Sequence, residues 1–423
     1  MNNSFENMKD SGVAWIGKIP EHWELSKMKR VLRNASIKGH PEAQVLSLYR
    51  EYGVIPKDSR DDNHNVTSED TASYKYVENG DLVINKMKAW QGSLGLSQYE
   101  GIVSPAYYVC KFISNRISRK FLHHLIRSKA YAQEFERLST GMRVGQWDLG
   151  IDDFLRVPLL LPPFPEQEAI AAYLDEKCAG IDDIIAEAKA SIEEYKAWKA
   201  SVIFEVVTKG LDPNAEMKDS GVQWIGEIPK GWEITPFGKI ATIKACLVDP
   251  KMYLSLPQIS PENIEKGSAR LLDTFKSVNA SGVISWNHLF HKGQIIYSKV
   301  RPTLNKLFLA QFEGLCSADM YPIETAQNIK FLVYAMLSES FVQQVAAVTA
   351  NRVKMPKINR HELSKITVVL PPTNEQTAIA AYLDEKCAAI DGIIAEKESL
   401  IAELETYKKS LVFETVTGKR RVC

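Results

Sequence analysis

The sequence predicts an α+β chain: two mixed α/β globular modules separated by two long α-helices that pair as an antiparallel coiled coil, arranged as a pseudo-two-fold internal repeat. Three observations predict it. The stretch "MKDSGVAWIGKIPEHWE" (8–24) returns as "MKDSGVQWIGEIPKGWE" (217–233), identical at 13 of 17 positions at an offset of 209. "PPFPEQEAIAAYLDEKCAGIDDIIAE" (162–187) returns as "PPTNEQTAIAAYLDEKCAAIDGIIAE" (371–396), identical at 21 of 26 positions with the same offset. Between these repeats lie regions of almost no mutual identity whose patterns of turns, strands and helices nevertheless correspond. A chain of 423 residues also exceeds what one ordinary core organises, and a fixed-period repeat is the first feature that a fold assignment must respect.

The long helices follow from their apolar spacing. Pro162 and Pro163 block a helix upstream, and Glu166 and Glu168 suit the positive first turn. Leu174, Cys178, Ile181, Ile185, Ala188, Ile192, Tyr195, Val202 and Val206 then recur at alternating spacings, with Lys199 as the one break. The second copy runs through Leu383, Cys387, Ile390, Ile394, Ile401, Leu404 and Leu411, interrupted at Lys397 and Lys408. Such alternation of three and four is a coiled-coil stripe. Each helix should hold roughly 40 residues and run about 60 Å, and neither is stable in water without a partner over its stripe. An entire module joins the two, which leaves them free to lie antiparallel.

Within the modules, "ENGDLVINKMKAW" (78–90) parallels "HKGQIIYSKVRPT" (291–303): a Gly turn, a β-rich run, then cations. "YEGIVSPAYYV" (99–109) parallels "FEGLCSADMYP" (312–322), and "STGMRVGQWDLGIDDFLRVPLLLPP" (139–163) parallels "TANRVKMPKINRHELSKITVVLPP" (349–372). Helices are expected over 118–138 and 327–347. The domains are therefore 1–161, the first module with its Trp motif; 162–210, the central helix; 211–370, the second module with the repeated motif; and 371–423, the distal helix.

A formal net charge of zero conceals a partition. Residues 25–161 carry 20 Lys+Arg against 15 Asp+Glu, and 234–370 carry 16 against 9. The helices reverse this, with 4 against 10 over 166–207 and 4 against 9 over 375–416. Two basic modules on an acidic rod favour a polyanion at the modules and not along the rod. Two different basic modules on one rigid spacer are suited to reading two different half-sites a set distance apart.

Several function classes lose support. No apolar run approaches the roughly 20 residues that span a bilayer, and "MNNSFENMKD" resembles no secretion signal; the expected location is cytoplasmic. Cys110, Cys178, Cys246, Cys316, Cys387 and Cys423 form no CxxC pair, which fits reduced thiols and no metal site. "LPPF" (161–164) lacks the Asp or Asn that an adenine methyltransferase sets before Pro-Pro. No G-x-x-x-x-G-K-[ST] phosphate loop is present. "LDEK" (174–177 and 383–386) lies on an amphipathic helix without the strand context of a nuclease. The chain is not expected to be an enzyme by itself.

For a DNA partner, the candidate contacts follow the β-rich runs and basic loops: Lys86, Lys88, Trp90, Arg143 and Gln146 in the first module, and Lys299, Arg301, Asn305, Arg352, Lys354 and Asn359 in the second. Arg and Lys suit guanine or phosphate, and Asn or Gln suits adenine in the major groove. Arg143 and Arg352 share the 209 offset, which favours a common phosphate-positioning role. The alternative for each cation is a solvated surface charge, and for Trp90 a core or rim aromatic. Trp15, Trp23, Trp224 and Trp232, identical in both copies, are expected to anchor each module on the rod, since identical residues cannot read different half-sites.

The "W-I-G-x-I-P-x-x-W" segments (15–23 and 224–232), the "LPP-x-x-EQ-x-AI-A-x-Y-LD" helix starts (161–175 and 370–384) and the alternation of variable with repeated segments carry a family resemblance. The chain resembles the specificity subunit of Type I restriction–modification systems along essentially its whole length. The resemblance implies that each variable module is a target-recognition domain for one part of a split DNA sequence. It implies a coiled coil that sets the spacing and docks two modification (methyltransferase) subunits, which restriction subunits with an ATP-driven motor and nuclease join. No cofactor is then expected in this chain; S-adenosylmethionine, ATP and Mg2+ belong to the partners. The rival readings are a coiled-coil interaction scaffold with no DNA role and a fused methyltransferase–specificity enzyme.

Overall fold

The structure is a computed structural model that describes residues 7–50, 53–59, 71–141, 147–352 and 354–422. Two compact units divide it: one runs to Ala188 and resumes at Ser399, the other spans Lys189–Glu398. Each unit therefore holds one module together with part of both long helices.

The long helices are Phe164–Lys209 and Thr373–Val416, of 46 and 44 residues. Each begins after its Pro-Pro pair, where a residue preceding proline resists the helical conformation. In the first unit, Leu174, Ile181 and Ile185 of the first helix share a core with Leu411, Leu404 and Ile401 of the second. In the second unit, Ile203, Val206 and Val207 of the first helix pack with Ile379, Leu383 and Cys387 of the second. Residues late in one helix meet residues early in the other, so the coiled coil is antiparallel.

The lysines that interrupt the apolar stripes have partners across the seam. Lys199 reaches Asp391 at 2.6 Å in the second unit, and Lys408 reaches Asp182 at 2.6 Å in the first. The two pairs interchange when the copies are exchanged, because both members are 209 residues apart. Lys397 lies over the ring of Tyr195 and Lys386 over that of Trp198.

The modules share one architecture. In the first, a four-stranded antiparallel sheet is ordered Leu32–Asn34, Tyr107–Phe112, Leu82–Asn85, Leu94–Leu96. In the second, the order is Ala241–Ile243, Met320–Thr325, Ile295–Ser298, Leu307–Leu309. Asn85 faces Tyr107 and Ser298 faces Met320, so the registers match. A second group of strands packs alongside; in the second module it is a five-stranded sheet that includes Leu247–Val248, Asn287–Phe290 and Gly314–Ser317.

Each expected module helix is two helices. Arg119–Arg127 and Lys129–Leu138 meet at Ser128, and Ile329–Leu337 and Glu339–Thr349 meet at Ser338 with a bend of 58°. Both serines hold extended backbone, so each ends one helix and opens the next. Serine readily takes that role because its hydroxyl competes with helical hydrogen bonding; Ser338 Oγ donates to the Ala335 carbonyl at 2.7 Å.

The repeated "EQ" explains how each module is fastened to its helix. Glu166 accepts the indole N–H of Trp23 at 3.1 Å, and Glu375 accepts that of Trp232 at 2.9 Å. Gln167 accepts the amide of Ser118 and donates to the carbonyls of Arg116 and Pro162. Gln376 accepts the amide of Asn328 and donates to Gln327 and to the Pro371 carbonyl. Both glutamines are buried with their amides satisfied, as buried polar groups must be. Two turns on, Asp175 holds Lys120 and His124, while Asp384 holds Lys330 and Tyr334. Trp23 and Trp232 are buried anchors, Trp15 packs edge-on against Tyr131, and Trp224 stays 39% exposed. Glycines let the chain pass these rings: a Cβ at Gly210 would meet Trp232, and one at Gly418 would meet Pro20 and Trp23. Beyond Gly418, Lys419 donates to the Ile16 carbonyl at 2.9 Å.

Candidate nucleic-acid interface

In each module the loop leaving a central strand is stitched to the loop before the short helix that follows. The amide of Leu149 donates to the Lys86 carbonyl at 2.9 Å, and the amide of Ile358 donates to the Lys299 carbonyl at 3.0 Å. Leu149 and Ile358 are both fully buried, which fixes each junction from below. The next residues, Gly150 and Asn359, are the N-caps of Ile151–Arg156 and Arg360–Lys365. On the other side, Ala89–Gln91 and Pro302–Leu304 form matching 3-10 turns.

The first junction brings Lys86, Lys88 and Trp90 together. Lys86 pairs with Asp148 at 2.7 Å, and that hydrogen bond raises its pKa. Lys88 is exposed. Trp90 donates to the Met87 carbonyl at 3.1 Å and lies against Trp147, with centroids 5.5 Å apart. Arg143 and Gln146 fall outside the described residues. Lys75 was not anticipated: its ammonium lies 5.3 Å from the Tyr108 ring centroid. Burial lowers its pKa, and the charges of Lys38 and Lys86 lower it further, so three cations crowd this corner.

The second junction gathers Lys299, Arg301, Arg352 and Lys354. Lys299 donates to the Ala318 carbonyl at 2.8 Å, pairs with Asp319 at 3.3 Å and lies over Tyr321. Lys357, equivalent by offset to Asp148, also binds Asp319, at 2.9 Å. Burial alone would raise the Asp319 carboxyl, but hydrogen bonds and charges from Lys357 and Lys299 outweigh it and hold the group below the ordinary carboxylate value. Arg301 is exposed at a φ of 46°, and its amide donates to the Pro356 carbonyl at 2.8 Å. Arg352 forks onto Glu362, whose hydrogen bond raises the guanidinium pKa and lowers that of the carboxyl. Lys354 is exposed.

One expected base reader, Asn305, serves the fold instead, and another, Asn359, also serves it. Asn305 is 4% exposed at a φ of 44°, and its amide donates inward to the Met336 carbonyl at 2.8 Å. Asn359 forms a capping box with Glu362. Asn305 is buried away from any base edge, whereas Asn359 is exposed and caps through its Oδ1, which leaves the N–H donors of its side-chain amide outside the cap. Lys357 and Arg360 carry exposed charge at the junction and were passed over. The signal for Lys357 lay in the parallel segments, which set it opposite Asp148.

Among the described residues, no group of three His, Cys, Asp or Glu could hold a metal ion. No single described helix is long and apolar enough to cross a membrane.

Two modules with equivalent loop junctions, each pinned to a shared coiled coil, define a duplicated recognition protein. The family model for the Type I restriction modification DNA specificity domain matches twice, over residues 20–194 and 229–405, and the chain belongs to that family. It is 25% identical to the Type I restriction enzyme EcoDI specificity subunit of Escherichia coli, covering 95% of this chain and 90% of that one. It is 24% identical to the putative MjaX specificity subunit of Methanocaldococcus jannaschii, covering 96% of each. Among solved structures, a chain from work on complex assembly and conformational transition of the type I R-M system superposes with a TM-score of 0.69. That match has 14% identity and covers 94% of this chain and 98% of the other. The HsdS subunit from Thermoanaerobacter tengcongensis superposes with a TM-score of 0.50 at 15% identity, covering 95% and 98%. Membership in a family of DNA specificity domains does not favour the scaffold reading.

Proposed function

We propose that this chain is the non-catalytic, sequence-reading subunit of a Type I restriction–modification complex, and that its two modules read the two parts of a split DNA target. The observation that carries the bipartite reading is the repeated junction. The same amide-to-carbonyl stitch holds loops that present Lys86, Lys88 and Asp148 in one module and Lys299, Arg301 and Lys357 in the other. Corresponding junctions with different side chains suit two different half-sites, with phosphate contacts for position and loop side chains for bases. The recognition domains are 1–161 and 211–370, and the helices at 162–210 and 371–423 are the spacer.

The partners are double-stranded DNA, two modification subunits seated against the coiled coil, and restriction subunits. S-adenosylmethionine, ATP and Mg2+ act in those partners, and the assembly works in the cytoplasm. Arg301, Lys354 and Lys88 are the cations best placed to meet DNA, and Arg143 and Gln146 stay candidates from the sequence. Lys86, Lys299 and Arg352 contribute through the carboxylates that orient them.

The test is to express the chain with its modification subunits and map methylated positions across the host genome. A two-part target with a fixed gap is expected, and exchanging one module for that of a relative should change one part only. A continuous target would overturn the bipartite reading. Failure of the assembled complex to bind any duplex at low salt would overturn the function itself.

A further inference from the structure

Beside the second junction stands an exposed apolar pair that the reading above does not use. Ile284 is 85% exposed and Trp286 is 59% exposed, in the segment between helix Val278–Ser281 and strand Asn287–Phe290. Leaving an indole in water forgoes about 1.5–3 kcal/mol of burial, so an aromatic held outward needs a reason. It is held there by a fixed backbone. The side-chain Nδ2 of Asn287 donates to the Ser285 carbonyl at 2.8 Å and closes the short turn around Trp286. Asn287 is itself buried and opens the strand.

The register places this turn against the cations. Asn287 faces Ser317, and His288 faces Cys316. Two residues after Ser317, Asp319 binds Lys299 and Lys357. His288 is near enough to that cluster that, after burial, the charges of Lys299 and Arg360 further lower its pKa. An exposed apolar turn beside fixed cations matches the surface of a duplex, where phosphates flank base edges that offer thymine methyls.

We propose that Trp286, supported by Ile284, is a base-contacting specificity determinant for the half-site read by the second module. This rests on the DNA-reading function above and adds a residue to it. Trp286 touches base edges in the groove whose phosphates are held by the adjacent loops.

The experiment uses the full complex with its modification subunits, the duplex identified by methylation mapping, and a scrambled duplex of equal length. Trp286→Ala is expected to weaken binding to the mapped duplex about tenfold or more, the range for losing recognition of one base pair. Binding to the scrambled duplex and the salt dependence should not change, because no charge is removed. Trp286→Phe should restore part of the loss. The inference is overturned if Trp286→Ala binds the mapped duplex as the wild type does, or if it weakens both duplexes equally. It is also overturned if gel filtration shows that the variant no longer assembles with the modification subunits, since the residue would then serve a protein contact. Should the wild-type complex itself bind no duplex, the function is at fault and not Trp286.

Discussion

The amide of Leu149 reaches the Lys86 carbonyl in the first unit, and that of Ile358 reaches the Lys299 carbonyl in the second, over equally buried side chains. Above these matched frames the charges differ. Asp148 neutralises Lys86 in the first module, whereas its counterpart Lys357 shares Asp319 with Lys299 in the second. The counterpart of Asp319 is Ala106, with no charge at all. Each carboxylate has been placed where its own module needs a cation oriented, so the modules hold their frame constant and vary what stands on it. The largest effects should therefore follow damage to the frame, and smaller, directed effects should follow changes above it.

Trp23→Ala and Trp232→Ala test the frame. Each removes a buried indole and the hydrogen bond it donates, although Glu166 keeps His22 at 2.8 Å. Truncating a buried Trp costs about 3–5 kcal/mol, and the two variants should lose similar amounts in chemical denaturation. A large difference between them would mean that the halves are fastened differently, despite matching hydrogen bonds.

Exchanging charge at the junction tests what stands on the frame. Asp148→Lys should tighten binding of the complex to non-specific DNA, and Lys357→Asp should loosen it, each about three- to tenfold at moderate salt. Salt titration by fluorescence anisotropy should show the dependence steepen in the first variant and flatten in the second. If neither slope moves, the junctions do not face phosphate.

Asp319→Asn is subtler, since it releases Lys299 and Lys357 without moving backbone. Non-specific affinity should rise a few-fold. The carboxyl is held below its ordinary value by those lysines once their effect exceeds that of burial. Its stabilising contribution is therefore complete above the unfolded-state value and is lost as pH falls through the lower folded-state value. The wild type should be slightly more stable than the variant near neutrality, and acid titration of the two melting temperatures should close the gap. With the side chain about a third exposed, that gap stays under about 1 kcal/mol.

These contrasts also show what one sequence can convey. The long helices were legible because a stripe at three-four spacing states both the element and its partner, and because the Pro-Pro pairs mark where it starts. The duplication exposed the module plan, and the aligned segments contained the Asp148–Lys357 reversal before any coordinates. Asn305 shows where such reasoning stops. Its amide suits a base as well as a buried carbonyl, and only the close approach of Met336 decides which it meets. Lys75 escaped because its position over Tyr108 is set by strand pairing, which local sequence does not display. Trp286 escaped because exposure belongs to the folded turn and not to the residue type.

The smallest expected effect gives the sharpest view of the symmetry. Lys199–Asp391 and Lys408–Asp182 are the same pair with helices exchanged, both at 2.6 Å. Their carboxylates are similarly exposed, at 57% and 58%, but Lys199 is 16% exposed and Lys408 is 30%. Partly exposed ion pairs contribute about 0.2–1 kcal/mol, and the more shielded lysine loses less to solvent. Double-mutant cycles with alanine at each pair should therefore give two small coupling energies of the same sign, the larger for Lys199–Asp391. Raising salt should shrink both, and the Lys408–Asp182 value faster. A coupling at one pair and none at the other would break the equivalence of the two halves at the coiled coil, where the sequence repeat is strongest.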